Sequence, residues 1–196
     1  MLRAVEYAHQ LLRERLVPGD MAIDATAGNG HDTLFLTKLT GPGGMVFAFD
    51  VQEAAIAATR GLLEREGVVG GTWRLFHAGH ETMREAIPKQ WHGRVAAVVF
   101  NLGYLPGSDK SVITTAGHTL TALEASLYLL RPGGVLVIVL YSGHPGGREE
   151  TEAVLKFVAG SSSREFHAIE YRTLNTRNDP PFVVAVEKAK TTRAAV

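Results

Sequence analysis

The feature that most restricts this chain is an alternation. Apolar runs too short for helices are each followed by an amphipathic stretch, and glycine or proline turns separate the two. Val95 to Phe100 is apolar at every position, which suits a strand covered on both faces, as in a parallel sheet, rather than one with a solvated face. The leading stretch places Val5, Leu11, Leu12 and Leu16 among charges at roughly helical spacing, and Pro18-Gly19-Asp20 stops it. Strands are then expected at Met21 to Ala25, Met45 to Phe49, Thr72 to Phe76, Val95 to Phe100 and Val135 to Leu140. The helical stretches between and after them are Asp32 to Leu39, Glu53 to Glu66, Glu81 to Ile87, Ser111 to Leu130 and Glu149 to Val158. Gly41-Pro42-Gly43-Gly44 closes one helix, and Arg131-Pro132-Gly133-Gly134 reads as a turn before the fifth strand. Repeated strand-helix-strand units of this length make right-handed parallel crossovers. His167 to Leu174 and Phe182 to Val186 break the rhythm, because only a polar, proline-containing loop joins them. They form an antiparallel hairpin. The expectation is an α/β, Rossmann-like fold: a mostly parallel seven-stranded sheet with a C-terminal antiparallel hairpin.

A length of 196 residues suits one such domain with a sizeable core, so residues 1–196 are read as one domain with a polar tail from about residue 188. The longest apolar run, Val135 to Tyr141, cannot cross a bilayer, and no basic-then-apolar leader opens the chain. A cytoplasmic location without membrane contact is expected. Cysteine is absent, which excludes disulfides, thiolate zinc sites and cysteine nucleophiles. Twenty basic residues balance twenty acidic ones, which disfavours coating long stretches of phosphate backbone but leaves room for a small nucleic-acid footprint.

Asp24-Ala25-Thr26-Ala27-Gly28-Asn29-Gly30 joins the first strand to the first crossover helix. There, backbone amides and the positive helix end face a ligand, and Gly28 and Gly30 lack the β-carbons that would block close approach. A glycine turn of this kind also occurs as a plain connection. Asp50, at the end of the second strand, adds the acidic side chain that hydrogen-bonds ribose hydroxyls and points to an adenosine-type ligand. Where a dinucleotide fingerprint has its third glycine this chain has Asp32-Thr33, and a carboxylate there disfavours a pyrophosphate. No Gly-x-x-x-x-Gly-Lys-Ser/Thr phosphate loop is present. S-adenosylmethionine (SAM), with a cationic sulfonium and an amino-acid tail, suits Asp24, Asn29 and Asp32 around the turn.

The fourth strand runs into Asn101-Leu102-Gly103-Tyr104-Leu105-Pro106-Gly107 at the carboxyl edge, where ligands of open α/β sheets bind. An amide oxygen can orient an amine lone pair toward a methyl group, and an aromatic wall can position the acceptor. Asn101 to Tyr104 resembles the tetrapeptide of amino-directed methyltransferases, an Asn or Asp, two small or proline residues and an aromatic, which makes Asn101 and Tyr104 the catalytic candidates, with Leu102 and Gly103 beside the acceptor; a turn with a half-buried Tyr is the alternative. Four strings now occur in order: Asp24 to Thr33, Asn101 to Pro106 with Asp109-Lys110, Tyr141-Ser142-Gly143-His144-Pro145-Gly146-Gly147, and Asn178-Asp179-Pro180-Pro181. Together they resemble the small bacterial family labelled "putative rRNA methylase" (YtqB/MnmM-like), which includes the tRNA 5-(aminomethyl)-2-thiouridine methyltransferases.

The resemblance implies a class I SAM-dependent methyltransferase acting on the wobble uridine in the anticodon region of tRNA. It places Asp24, Asn29, Asp32, Asp50, Gln52, His80, Glu81 and Asn101 around SAM, with Ala25, Gly28, Gly30 and Thr33 in the same turn. Tyr104, Asp109, Lys110, Tyr141, His144, Asn175 and Asn178 fall on the acceptor side. Thr176 departs from the family pattern, in which Gln is expected. Other outcomes are methylation of an rRNA base or a small-molecule amine, and a module that only senses SAM. His77, His80 and His144 have no ligand spacing for a metal, and none is expected. Lys110 and Arg148 are few enough as phosphate contacts to agree with the neutral total, and Trp73 and Trp91 read as packing residues. A homodimer is compatible with the sequence but not specified by it.

Overall fold

The computed structural model describes residues 1–103, 115–143, 145–176 and 179–190. In chain order its elements are α1 (Ala4–Arg15), β1 (Met21–Asp24), α2 (His31–Thr40), β2 (Met45–Asp50), α3 (Glu53–Arg65), β3 (Trp73–His77) and α4 (Met83–Ala86). There follow β4 (Val95–Asn101), α5 (Ala116–Leu129), β5 (Leu130–Leu140), α6 (Gly147–Gly160), β6 (Phe166–Tyr171) and β7 (Phe182–Lys188). The seven strands form one sheet in the order β3-β2-β1-β4-β5-β7-β6. Pairing is parallel from β3 to β5, and β7 runs antiparallel to both β5 and β6. The expected mostly parallel sheet with a terminal antiparallel hairpin is therefore present.

Alternation within the apolar strands explains why both faces are covered. Val98, Phe100, Leu136 and Ile138 point to one face, where they pack with Met83 of α4, Leu123 of α5 and Val154 of α6. Ala97, Val99, Val137 and Val139 point to the other, against Ala8 and Leu12 of α1 and Leu36 of α2. Each fully buried Val, Leu, Ile, Phe or Met side chain among them contributes about 1.5 to 3 kcal/mol by leaving water. The central strands β1 and β4 are thus fixed from both sides, and so are the loops at their carboxyl ends.

Some boundaries differ from the sequence expectation for identifiable reasons. The helix expected over Glu81 to Ile87 is a short 3-10 helix, His80–Thr82, followed by a single turn, α4. Pro88 disfavours helical geometry in the residue before it, and Ile87 is extended (φ −80°, ψ 126°). Arg131 to Gly134 is not a turn ahead of the fifth strand but a bulge inside it, because Val95 already pairs with Leu130 and Ala97 with Val135. Arg131 holds the bulge down through an ion pair with Asp20 at 3.0 Å. The hairpin shifts as well: β6 stops at Tyr171, and β7 runs on to Lys188, whose ammonium donates to the carbonyls of Leu127 and Leu130 at 2.9 Å each. Residues 111–114 of the expected long helix lie outside the described residues.

Candidate functional site

The sheet order reverses at β1, whose neighbours β2 and β4 continue in opposite directions. Open α/β sheets bind ligands beyond the carboxyl ends of the strands at such a point. Asp24 ends β1, Asp50 ends β2, Asn101 ends β4, and Tyr141 follows β5. Four candidates far apart in sequence thus share one edge.

The turn between β1 and α2 is tied to both neighbouring strands. Ala25 N–H donates to the Val99 carbonyl and Ala27 N–H to that of Phe49, both at 2.9 Å. Gly28 N–H donates to Asp50 Oδ2 at 2.9 Å, and Gln52 N–H donates to Asp50 Oδ1 at 2.9 Å. Asp50 therefore fixes the turn while half of its acceptor capacity stays free for other donors. Thr59 of α3 donates its hydroxyl to the Gly28 carbonyl at 3.1 Å. Gly30 has φ +84°, and a β-carbon there would lie 2.8 Å from Thr59 Cα. Only glycine serves at that position, for both conformation and space.

The carboxylates of this region differ sharply in exposure. Asp24 is fully buried; it accepts from the Thr33 hydroxyl at 2.6 Å and from Thr26 N–H at 3.1 Å. Burial first, then the charge of Asp32, pushes the Asp24 carboxyl up to about 7, with Thr33 and Thr26 pulling the other way. Asp24, Ala25 and Thr33, placed by sequence beside the cofactor, have almost no exposed surface. They shape the turn from beneath, whereas Asn29 is exposed and Asp32 and Asp50 are partly so.

Asp32, in the first turn of α2, joins α1 to the end of β4. Its Oδ1 meets His9 Nε2 at 2.7 Å, and its Oδ2 meets Asn101 Nδ2 at 3.4 Å. Burial, followed by the negative charge of Asp32, raises the Tyr141 hydroxyl above its ordinary value. Asn101 is itself held by its backbone N–H on the Thr26 hydroxyl at 2.8 Å. His80 is buried, with Nδ1 3.2 Å from the Ala25 carbonyl and its ring tilted against Phe100. Burial lowers its pKa, and the neutral ring can donate Nδ1–H to that carbonyl. Glu81 is half-buried and folds back over Gly79.

On the acceptor side, Leu102 is corrected: its side chain is 1% exposed and belongs to the core, and its N–H donates to the Val139 carbonyl. Gly103 is partly exposed just beyond β4, and Asn175 is exposed in the β6–β7 connection. Tyr104, Asp109, Lys110, His144 and Asn178 lie outside the described residues. Arg148 is exposed and pairs with Asp179 at 3.4 Å. His77 meets the Val51 carbonyl at 3.0 Å. Trp91 packs against the core, and the Arg60 guanidinium sits over the Trp73 ring, so both tryptophans serve packing. Sequence reasoning missed His9, Thr26 and Thr59. His9 partners a residue 23 positions away, and Thr26 one 75 positions away; no local pattern marks such pairs.

The strand order, the glycine turn between β1 and α2, and the acidic residue ending β2 define the class: a Rossmann-like class I methyltransferase. Comparison with known proteins narrows this. Residues 46–187 match the family described as "Putative rRNA methylase", and the chain belongs to that family. An Arabidopsis thaliana protein named "tRNA (mnm(5)s(2)U34)-methyltransferase, chloroplastic" is 42% identical over 190 residues, spanning 92% of this chain and 68% of the relative. A crystal structure from Clostridium thermocellum, described as a "putative rRNA-methylase", superposes with a TM-score of 0.91 at 37% identity, covering 96% of this chain and 98% of that one. A "putative methyltransferase" from Streptococcus mutans, solved in complex with SAH, gives 0.86 at 40% identity, covering 96% and 99%.

Proposed function

We propose that this chain is a SAM-dependent N-methyltransferase that converts 5-aminomethyl-(2-thio)uridine at the wobble position of tRNA to 5-methylaminomethyl-(2-thio)uridine. The observation that carries the reading is the 42% identity, over 92% of the chain, to a relative named for that modification. The site's chemistry supports it. The glycine turn is braced against β2, β4 and α3, Asp50 keeps acceptor capacity for ribose hydroxyls, and Asp32 and Asn29 offer oxygens to a cationic amino-acid tail.

SAM, when bound, supplies an electrophilic methyl group on a sulfonium. The residues of this chain have to hold the acceptor amine in line with it and keep water away, so catalysis is positioning and desolvation. The substrate ammonium first loses one proton. The nitrogen lone pair then forms the N–C bond as the C–S bond breaks with its electron pair going to sulfur. The products are a methylammonium and S-adenosylhomocysteine (SAH). In this reading Asn101 receives the amine N–H, Tyr104 forms the aromatic wall, and Tyr141, Gly103, Asp109, Lys110, His144, Asn175 and Asn178 serve the tRNA side. Residues 1–196 act as one catalytic domain. Among the described residues no helix is long and apolar enough to cross a membrane. We place the reaction in the cytoplasm, while the Arabidopsis relative is named chloroplastic.

The test offers labelled SAM with tRNA bearing aminomethyl-thiouridine, the same tRNA without that group, rRNA, and no RNA. Label entering only the first supports the reading. Equal label in tRNA lacking the amine sinks the substrate, label in rRNA moves the activity there, and SAH binding without any transfer leaves a sensing module.

A further inference from the structure

His9 meets Asp32 but has no part in the proposed reaction. It lies on α1, which is anchored to the sheet by Ala8 and Leu12, with Leu16 just beyond its end. Its ring stacks on Phe35 of α2 at 3.9 Å between centroids and 9° between planes. Phe35 and Asp32 are three residues apart on the same face of α2, so the stack aims His9 Nε2 at Asp32 Oδ1, 2.7 Å away. The Arg13 guanidinium also lies over the Phe35 ring, 4.9 Å from its centroid. The imidazole is therefore fixed in plane and direction, with only 22% of its side chain exposed.

The consequence runs through Asp32. With Oδ1 engaged by His9, Oδ2 faces the Asn101 amide at 3.4 Å, and a carboxylate oxygen there favours the Nδ2 end. The opposite orientation would set two oxygens against each other. Asn101 is held at its backbone by Thr26, so the direction of its amide is left to side-chain contacts, of which Asp32 Oδ2 is one. We propose that His9 and Asp32 form a positioning relay that holds Asn101 with Oδ1 turned toward the acceptor amine and Nδ2 turned away. An acceptor amine approaching for transfer has N–H groups to donate, and only the Oδ1 end can receive them. A flipped amide would present donors to donors. His9 acts here through Asp32 and Asn101 and is a positioning residue, not one that touches substrate.

The inference rests on the proposed methylation reading, and its test separates the two. His9→Phe keeps a ring to stack on Phe35 and removes the N–H; His9→Gln supplies an N–H donor without the ring. Each is compared with wild type for kcat on tRNA carrying aminomethyl-thiouridine, for SAH affinity by calorimetry and for thermal stability. His9→Phe is expected to lose about tenfold in kcat, with SAH affinity and melting temperature close to wild type, and His9→Gln to recover most of the rate. A His9→Phe kcat within twofold of wild type overturns the relay, as does a fall in SAH affinity equal to the fall in rate. Where His9→Phe does not fold, Asp32→Asn carries the test. It offers one oxygen and one NH2 in place of two oxygens; because Asp32 also faces the SAM tail in the proposed reading, kcat is read at saturating SAM beside SAH affinity, and a loss of at least about tenfold in kcat that exceeds the loss in affinity is expected, whereas retention within twofold, or a loss no larger than that in affinity, overturns the relay. Absence of transfer by the wild-type chain refutes the methylation reading itself, and the relay with it.

Discussion

Gly30→Ala addresses the turn on which the cofactor side of the site depends. The backbone there has φ +84°, where an L-residue with a β-carbon costs about 1 to 2 kcal/mol. Independently, the new β-carbon would sit 2.8 Å from Thr59 Cα and 3.0 Å from its Oγ1. A backbone atom cannot swing aside as a side chain can, so α3 and the turn must separate, and overpacking of this kind costs about 1 to 3 kcal/mol. Together the two effects predict a loss of about 2 to 5 kcal/mol, a large share of the roughly 5 to 15 kcal/mol typical of a folded domain. Separation also stretches the bond from Thr59 to the Gly28 carbonyl, so SAH affinity should fall with stability. Urea denaturation and calorimetry with SAH measure both. Thr59→Ala should not rescue the variant, because the closest contact is to Cα. A Gly30→Ala protein within about 0.5 kcal/mol of wild type and binding SAH normally would refute the reasoning, since surface changes without a packing cost fall in that range.

Asp24→Asn tests the buried carboxyl: a group raised to about 7 in the folded chain contributes stability that is complete below its unfolded pKa and lost as pH rises through 7. Wild-type stability relative to Asp24→Asn should therefore fall between about pH 4 and 7, by up to about 4 kcal/mol, and level off above; a difference independent of pH would show that Asp24 titrates normally. Asp50→Ala should weaken SAH binding about ten- to a hundredfold, because a charge-assisted acceptor and the anchor of Gly28 N–H are both lost; unchanged affinity in calorimetry would remove Asp50 from the site. Lys188→Met should cost about 1 to 3 kcal/mol in denaturation, since the Leu127 and Leu130 carbonyls lose their donor, while methyl transfer stays normal; a parallel loss of transfer would link this opposite edge of the sheet to the site.

The sequence carried the fold because its dominant signals are local. Val95 to Phe100 suits a strand buried on both faces between turn signals, the Gly28–Gly30 turn comes just after the first strand, and Asp50 closes the second. Where expectation and structure part, a non-local contact decides. Arg131 to Gly134 has turn composition, yet the Asp20 ion pair and the pairing of Val95 with Leu130 stretch it into β5. In the site, sequence identifies polar residues but not their direction. Asp24 and Asn29 belong to the same turn, but one is sealed beneath it and the other is exposed. Leu102 was carried along with Asn101, although a residue beside a functional one points the other way and here completes the core. His9 was invisible because its meaning comes from Asp32 and Phe35 on another helix.

The central claim is that the methyl group goes to an exocyclic amine on a tRNA wobble uridine, and mass spectrometry of nucleosides tests it most directly. Transfer RNA carrying aminomethyl-thiouridine is incubated with the protein and SAM, digested, and its wobble nucleoside fragmented. The account predicts one added methyl group, lost with the side-chain amine on fragmentation, and no change in the other nucleosides. A methyl group retained on the uracil ring or ribose, or found on a different nucleoside, would contradict it.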